Sequence, residues 1–300
     1  MASLVSRNAG LEVSKLFDVS HVTAVLSGGG SGLGLMITQA LVANGAKVYV
    51  VERREEAMRT VMALYNTGPG EIIPMVADIS KKEEVQRISS EVASKEPHGI
   101  QLLVNNAGIA KDEETRYETH GQPNLKDAQA ISDFFMKSNP QSWADSFQTN
   151  VMAQFFMSMA FLPLLASGCD IVPGYTSSIV QISSNSGFLK SNTRGYISYS
   201  ASKAATTHLA RMLATTLSET RVRVNTIAPG TFPTEMTAGS SGPDQKSTLV
   251  RTPSNAAGRA GRESDIGATV LLLASIGGSF YNHQILFPDG GETLVEPAAI

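Results

Sequence analysis

Tyr199 and Lys203 lie four residues apart in Tyr199-Ser200-Ala201-Ser202-Lys203, at the start of a segment with helical patterning, so both fall on one helix face. An ammonium beside a phenol favours the phenolate and lowers a hydroxyl pKa of ~10 toward neutrality, where tyrosine can give or take a proton at a reacting oxygen. Tyr196 has no such partner, because residue 200 is serine, and reads as a pocket wall. Ser183 and Ser184 end the preceding apolar run, at the edge where an open α/β sheet opens its ligand crevice. A tyrosine–lysine pair at this spacing is common by chance. The serines at that edge give it chemical meaning.

A second constellation is Ser27-Gly28-Gly29-Gly30-Ser31-Gly32-Leu33-Gly34, directly after the first apolar run and opening the first helical segment. Glycines there permit a tight turn and let backbone N–H groups approach a pyrophosphate, whose charge is favoured at a helix N-terminus. A plain strand-to-helix turn would also use glycine, but the position after the first strand points to a dinucleotide. The second strand ends at Glu52, about 18 residues beyond Gly34, where a carboxylate can accept hydrogen bonds from ribose hydroxyls. That favours NAD(H). Arg53 and Arg54 follow at once, and a guanidinium there can pair with a 2′-phosphate, so NADP(H) stays open; a Glu52–Arg salt bridge is the purely structural alternative. The carboxylate tips the reading slightly to NAD(H).

The elements that must position these residues follow from the apolar pattern. Thr23–Leu26, Lys47–Val51, Ile72–Val76, Leu102–Asn105, Ser178–Ile182, Arg221–Ile227 and Gln284–Phe287 read as strands. Leu33–Asn44, Glu55–Asn66, Lys81–Lys95, Ala144–Leu165, Tyr199–Glu219 and Ser264–Ala274 read as helices between them. The βαβ rhythm predicts a parallel sheet covered on both faces, a doubly wound α/β fold forming one domain from residue 21 to 300, preceded by an N-terminal extension over 1–20. Two segments break the rhythm: a polar insertion at about 109–141 and a Gly-, Pro-, Ser- and Thr-rich loop at about 231–263, placed where a substrate loop would lie.

With these motifs in order, the chain resembles the short-chain dehydrogenase/reductase family, of its classical type, from about His21 to Leu294. Besides the glycine loop and Tyr199/Lys203 it carries Asn105-Asn106-Ala107-Gly108, Asn150 in a long helix, Pro229-Gly230 and Asp289-Gly290-Gly291. The resemblance implies a Rossmann fold and catalytic roles for Ser184 on the substrate oxygen, Tyr199 as acid/base, Lys203 on the tyrosine and the nicotinamide ribose, and Asn150 on a proton-relay water. Ser184 is preferred over Ser183 because Ser184-Asn185-Ser186-Gly187 matches the family spacing. Further cofactor contacts are implied for Ser27, Gly28, Gly32, Leu33 and Gly34, for Glu52 and Arg53, for Asp78 and Ile79 beside adenine, for Asn105 and Gly108, and for Pro229, Gly230 and Thr234 near the nicotinamide. The structural alternatives are that Asn105 and Asn106 tie strands together and that Asn150 caps or kinks its helix. The connection from Gly108 to Asn150, about 42 residues, exceeds the family's usual one, so the insertion is expected to form a flap over the substrate mouth. A homodimer or homotetramer is also implied, with the face of Met152–Leu165 and the helix beginning at Tyr199 meeting symmetry mates.

Composition excludes other classes. The net charge is −3 with no basic stripe, which argues against nucleic acid as partner. Cys169 is the only cysteine, so no intrachain disulfide can form, and it reads as an inert buried thiol. The first 30 residues lack a continuous apolar stretch, which with the cysteine usage predicts a cytoplasmic protein. The most apolar run, Met152 to Ala166, falls short of the ~20 residues a membrane span needs and predicts no membrane partner. His208 and His283 read as packing residues, and no spacing suggests a metal site.

The function expected is hydride transfer between a nicotinamide and a ketone or secondary alcohol. Phe188, Leu189, Tyr196, Phe232, Met236 and Trp143 suggest an apolar pocket suited to a hydrophobic, secondary-metabolite-like substrate, although any of them could be core. A catalytically silent nucleotide-binding regulator, or isomerisation and elimination in the same frame, are the alternatives.

Overall fold

In the computed structural model, which describes residues 8, 10–250 and 253–296, seven strands form one parallel sheet. They are β1 (Thr23–Ser27), β2 (Lys47–Glu52), β3 (Glu71–Val76), β4 (Leu102–Asn105), β5 (Ser178–Ile182), β6 (Arg223–Ile227) and β7 (Ile285–Leu286), in spatial order 3-2-1-4-5-6-7. The doubly wound Rossmann fold read from the sequence is the fold observed. The strands are largely apolar because both faces are covered, with Gln181, Arg223 and Asn225 among the buried polar exceptions. Side chains alternate between two cores: Ala24 and Leu26 of β1 face one, Val25 the other.

The first core is closed by α1 (Gly32–Ala43), α2 (Glu55–Tyr65) and a C-terminal helix. The second is closed by α3 (Lys82–Lys95), α4 (Pro140–Ser167) and α5 (Ile197–Thr216). The C-terminal helix, α6 (Glu263–Ala274), lies along α1, giving three helices on each face. The strand order reverses between β1 and β4, so the crevice opens at their C-terminal ends.

Several boundaries depart from the sequence reading: α5, read as Tyr199–Glu219, runs Ile197–Thr216, β7, read as Gln284–Phe287, keeps only Ile285–Leu286, and those of β6 and α4 shift for physical reasons. β6 starts at Arg223 rather than Arg221, because Arg221 takes a left-handed φ of 63° in the turn before it. α4 begins at Pro140, whose missing N–H costs nothing at a first helical position, and Asn139 caps it by accepting the Gln141 N–H. It also contains a π turn over Gln148–Met152 and runs on to Ser167. By length and composition α4 is thus long and apolar enough to cross a membrane, contrary to the shorter run expected; here Ala153, Met157, Phe161 and Leu165 are buried against the sheet.

The insertion over 109–141 is structured: it holds a turn of helix at Tyr117–His120 and a helix at Ala128–Phe135 capped by Asp127, and its last two residues belong to α4. The loop over 231–263 carries a short helix at Glu235–Ala238 and a Lys246–Glu263 ion pair; residues 251 and 252 lie outside the described residues. Of the extension assigned to 1–20, residues 1–7 and 9 lie outside them too, while Val13–Leu16 forms one helical turn against Gly277.

Candidate active site

The phosphate loop is built by backbone packed on backbone. A Cβ on Gly34 would sit 2.0 Å from the Gly28 carbonyl oxygen and 2.5 Å from Asn106 Nδ2, so no larger residue fits there. Asn106 Nδ2 donates to the carbonyls of Ser27 and Gly28, both at 3.0 Å, and Ser27 Oγ accepts the N–H groups of Asn106 and Ala107. The end of β4 is thereby bolted to the end of β1. No side chain caps the first turn of α1 at Ser31, which leaves its amides, including those of Gly32, Leu33 and Gly34, free to meet an anion.

Glu52 is 8% exposed, and its carboxylate is already engaged: Oε1 accepts the N–H groups of Arg53 and Arg54 and the Arg54 Nε, while Oε2 faces Gly30. Arg54 reaches further, donating to both oxygens of Glu235 at 3.0 and 2.9 Å and to Ser31 Oγ at 2.9 Å. One guanidinium thus joins the end of β2, the phosphate loop and the 231–263 loop. Arg53 is exposed, and its charge acts on Asp78. Burial opposes ionisation of Asp78, but hydrogen bonds from the Ser80 hydroxyl and amide outweigh it and hold the carboxyl below its ordinary value. Ile79 is buried in the second core, and Thr234 stands over Gly32. Beside these residues a cavity of about 410 Å³ lies between α1 and the 231–263 loop, lined by Met36, Gln39, Pro233, Lys246 and Arg262, away from Tyr199.

The second half of the crevice brings Asn150, Ser184, Tyr199 and Lys203 together. Lys203 is 3% exposed; its Nζ donates to the Ile182 carbonyl at 2.8 Å and lies 5.8 Å from the Tyr199 ring centroid. Burial pulls it down to about 8. Part of the Tyr199 ring is accessible, but its hydroxyl is enclosed by protein, and burial pushes it up; the neighbouring Ser184 hydroxyl draws it partly back. Ser184 Oγ also accepts the Ser186 N–H. Ser183 points the other way, its hydroxyl donating to the Lys203 carbonyl and sharing a hydrogen bond with Thr207, so it fastens β5 to α5.

Asn150 owes its place to the π turn of α4. The Ala153 N–H donates to Gln148, five residues back, and the carbonyl of Asn150 accepts the Thr206 hydroxyl. The side chain then pins Ile109 from both sides, Oδ1 accepting its N–H at 2.8 Å and Nδ2 donating to its carbonyl at 2.9 Å, and also donates to Ser202 Oγ. A Cβ on Gly108 would lie 3.2 Å from both Asn150 Oδ1 and Lys203 Nζ, so these two atoms flank one point beside Gly108.

Asn105 departs from its expected place. It is fully buried, and Nδ2 donates to the Gln154 carbonyl and Ser158 Oγ of α4, away from the crevice. It ties the strand to a helix, while the strand-tying role falls to Asn106. Phe232 is core rather than pocket wall, 2% exposed and pressed under Gly261. Pro229 and Gly230 stand at the crevice rim, the Pro229 carbonyl accepting the Asn185 N–H and Gly230 backed against Asp289. Residues the sequence reading passed over also meet here. Glu292 accepts from the Thr231 N–H and hydroxyl, with burial raising its carboxyl, and Asp112 reaches the start of α5. Both act across more than sixty residues of chain, which spacing does not reveal.

A doubly wound sheet with a glycine loop at its switch point and a serine–tyrosine–lysine cluster on the same edge defines a nicotinamide-dependent oxidoreductase. Residues 22–244 match the model of the short chain dehydrogenase family. The chain is 36% identical over 295 residues to short-chain dehydrogenase/reductase PhomF' of Diaporthe leptostromiformis, covering 96% of this chain and 97% of that protein. It is 32% identical over 286 residues to galactitol 2-dehydrogenase (L-tagatose-forming) of Cereibacter sphaeroides, covering 95% and 100%. Its fold superposes on the Pseudomonas aeruginosa RhlG/NADP active-site complex with a TM-score of 0.74 and 26% identity, over 92% of this chain and 98% of that one. The protein belongs to the short-chain dehydrogenase/reductase family and is an NAD(P)-dependent enzyme.

Proposed function

We propose that this enzyme transfers a hydride between a nicotinamide and a ketone or secondary alcohol of hydrophobic character, with Tyr199 as its proton donor and acceptor. The observation that carries the reading is the meeting of Ser184, Tyr199 and Lys203 at the end of β5. The uncapped first turn of α1 and the glycine loop before it fit a dinucleotide pyrophosphate, which they would hold with backbone amides. When bound, the nicotinamide supplies the hydride donor or acceptor. Ser184 orients and polarises the substrate oxygen, and Tyr199 gives it a proton in reduction and removes one in oxidation. A protonated Lys203 stabilises the phenolate left behind, and Asn150, fixed on Ile109, stands beside Lys203 to complete the path to solvent. Phe188, edge-on to Phe287, together with Tyr196 and Leu189 gives the crevice its apolar character.

The buried Glu52 carboxylate beside Gly30, with Glu235 holding Arg54, supports NAD(H) as the preferred cofactor, because two carboxylates repel a 2′-phosphate. A kcat/KM for NADPH at least about tenfold above that for NADH overturns this preference. Phe147, Met152, Phe155 and Met212, exposed on α4 and α5, support a homo-oligomer. Light scattering returning a mass near 31.8 kDa refutes it.

The decisive experiment is Tyr199→Phe, assayed by nicotinamide absorbance against a panel of cyclic and aromatic ketones. Turnover should fall by about 10³-fold or more while cofactor binding stays within about twofold, since only the hydroxyl is lost. A variant retaining a tenth of the wild-type kcat, by this order-of-magnitude criterion, removes Tyr199 from the proton-transfer role.

A further inference from the structure

Asp112 is a carboxylate only 2% exposed, in the segment after β4 that the sequence marks as an insertion. Its partners are two neighbouring backbone amides: Oδ1 accepts the Ser198 N–H at 2.9 Å and Oδ2 the Tyr199 N–H at 3.1 Å. Both amides belong to the first turn of α5, where a helix has N–H groups without internal partners and a positive dipole end. The residue before the helix, Tyr196, offers no side-chain cap. The cap comes instead from 86 and 87 residues away.

The surrounding segment is fastened at both ends. Asn150 clamps Ile109, and Arg116 donates to the Ala110 carbonyl while its guanidinium lies 5.0 Å from the Tyr196 ring centroid. Thr115 Oγ1 donates to the Gly195 carbonyl at 2.8 Å, and a Cβ on Gly195, whose φ is 94°, would overlap the Thr115 carbonyl oxygen at 1.8 Å. Asn192 meets the Tyr117 hydroxyl, and Arg194 pairs with Glu118 at 3.1 Å. Residues 109–118 therefore form a strut against the start of α5.

A buried carboxylate is costly unless its oxygens are hydrogen-bonded, so Asp112 is held where the two amides are, and the amides where it is. We propose that Asp112 is a positioning residue for proton transfer: by gripping the Tyr199 backbone amide it sets where the phenol stands relative to Ser184 and Lys203. The proposal rests on Tyr199 as the proton-transfer group. Misplacing a reacting group by about 1 Å can cost ~10²-fold in rate, whereas cofactor contacts on the β1–β2 side do not involve this cap.

The test compares Asp112→Asn and Asp112→Ala with Tyr199→Phe, measuring kcat per folded molecule, KM, NADH and NADPH dissociation constants by fluorescence quenching, and thermal midpoint. Asp112→Ala should lower kcat by about 30- to 100-fold with cofactor dissociation constants within about threefold. Asp112→Asn, which keeps one oxygen for one amide, should recover part of that loss, and it serves alone if the alanine variant does not fold. Either variant with kcat per folded molecule within about twofold of wild type overturns the proposal, as does a parallel loss of cofactor affinity and rate. If Tyr199→Phe stays active, the proton-transfer reading fails instead. An inactive Tyr199→Phe beside a fully active Asp112→Ala sinks the positioning role alone.

Discussion

The two halves of the crevice are held together by different means. On the β1–β2 side Gly34 is packed main chain against main chain, with a carbonyl where a methyl group would be, and the Asn106 side chain fastens the loop carbonyls of Ser27 and Gly28. On the β4–β5 side Asn150, Tyr199 and Lys203 are fixed by side-chain hydrogen bonds between segments far apart in the chain, while Ser184 is held locally by the Ser186 amide. The first kind of order follows from residue types that tolerate no substitution. The second depends on a network in which each bond contributes modestly and can be changed alone. Changes on the first side should therefore act on the fold, and changes on the second on rate.

The strongest way to break this contrast is Gly34→Ala. A methyl 2.0 Å from the Gly28 carbonyl must displace the loop from α1, an overpacking cost of about 3 kcal/mol, which lowers the thermal midpoint by roughly 5 °C in a chain of this size. Calorimetry showing a shift of less than about 2 °C would mean the loop yields easily and is not set by its backbone.

On the other side the two adjacent serines should part company. Ser184→Ala, losing the hydroxyl beside Tyr199, should reduce kcat by about 10²-fold with little change in stability. Ser183→Ala should leave kcat within about threefold but cost about 1–2 kcal/mol of stability, because its hydroxyl joins β5 to the Lys203 carbonyl and Thr207. Steady-state kinetics and melting curves giving the reverse pattern would exchange the two assignments.

The smallest effect is one of pH. Lys203 must be protonated to support the phenolate, and burial has brought it down to about 8, so carbonyl reduction should decline as pH rises through about 8. Stability moves oppositely: with the folded value below the ordinary 10.5, the unfolded chain binds more protons between about 8 and 10.5, and this lysine's destabilisation is relieved across that window. A reduction rate flat from pH 7 to 10, in this approximate range, separates Lys203 from the proton path.

The same contrast explains what the sequence could disclose. Seven apolar runs and the glycine loop are local signals, and the strands and phosphate loop stand where those signals place them, within a residue or two at most ends. Tyr199 and Lys203 were legible because helical spacing alone puts them on one face. Asp112 was not, since a helix cap is sought just before the helix and this one arrives from the far side of α4. Nor was the destination of Arg54. Its sequence neighbours suggest Glu52, and only the folded 231–263 loop brings Glu235 to its Nη1. The cofactor contact implied for Asn105 came from the resemblance alone, and its side chain ties β4 to α4, a partner 49 residues away that local spacing does not reveal.

The π turn in α4 has a consequence for chain length as distinct from residue identity. Five residues occupy Gln148–Met152 where the α-helical ladder would close over four, and the surplus sets the angular phase between the two parts of the helix. Deleting one residue within it would restore an unbroken ladder and rotate everything before it by about 100° relative to Met157 and Phe161. Ser146 would swing away from Ser198, and Asn150 away from Ile109, although every side chain involved would still be present. Substitutions can test each of these groups in turn, but the geometry they share is held in register by a single extra amino acid.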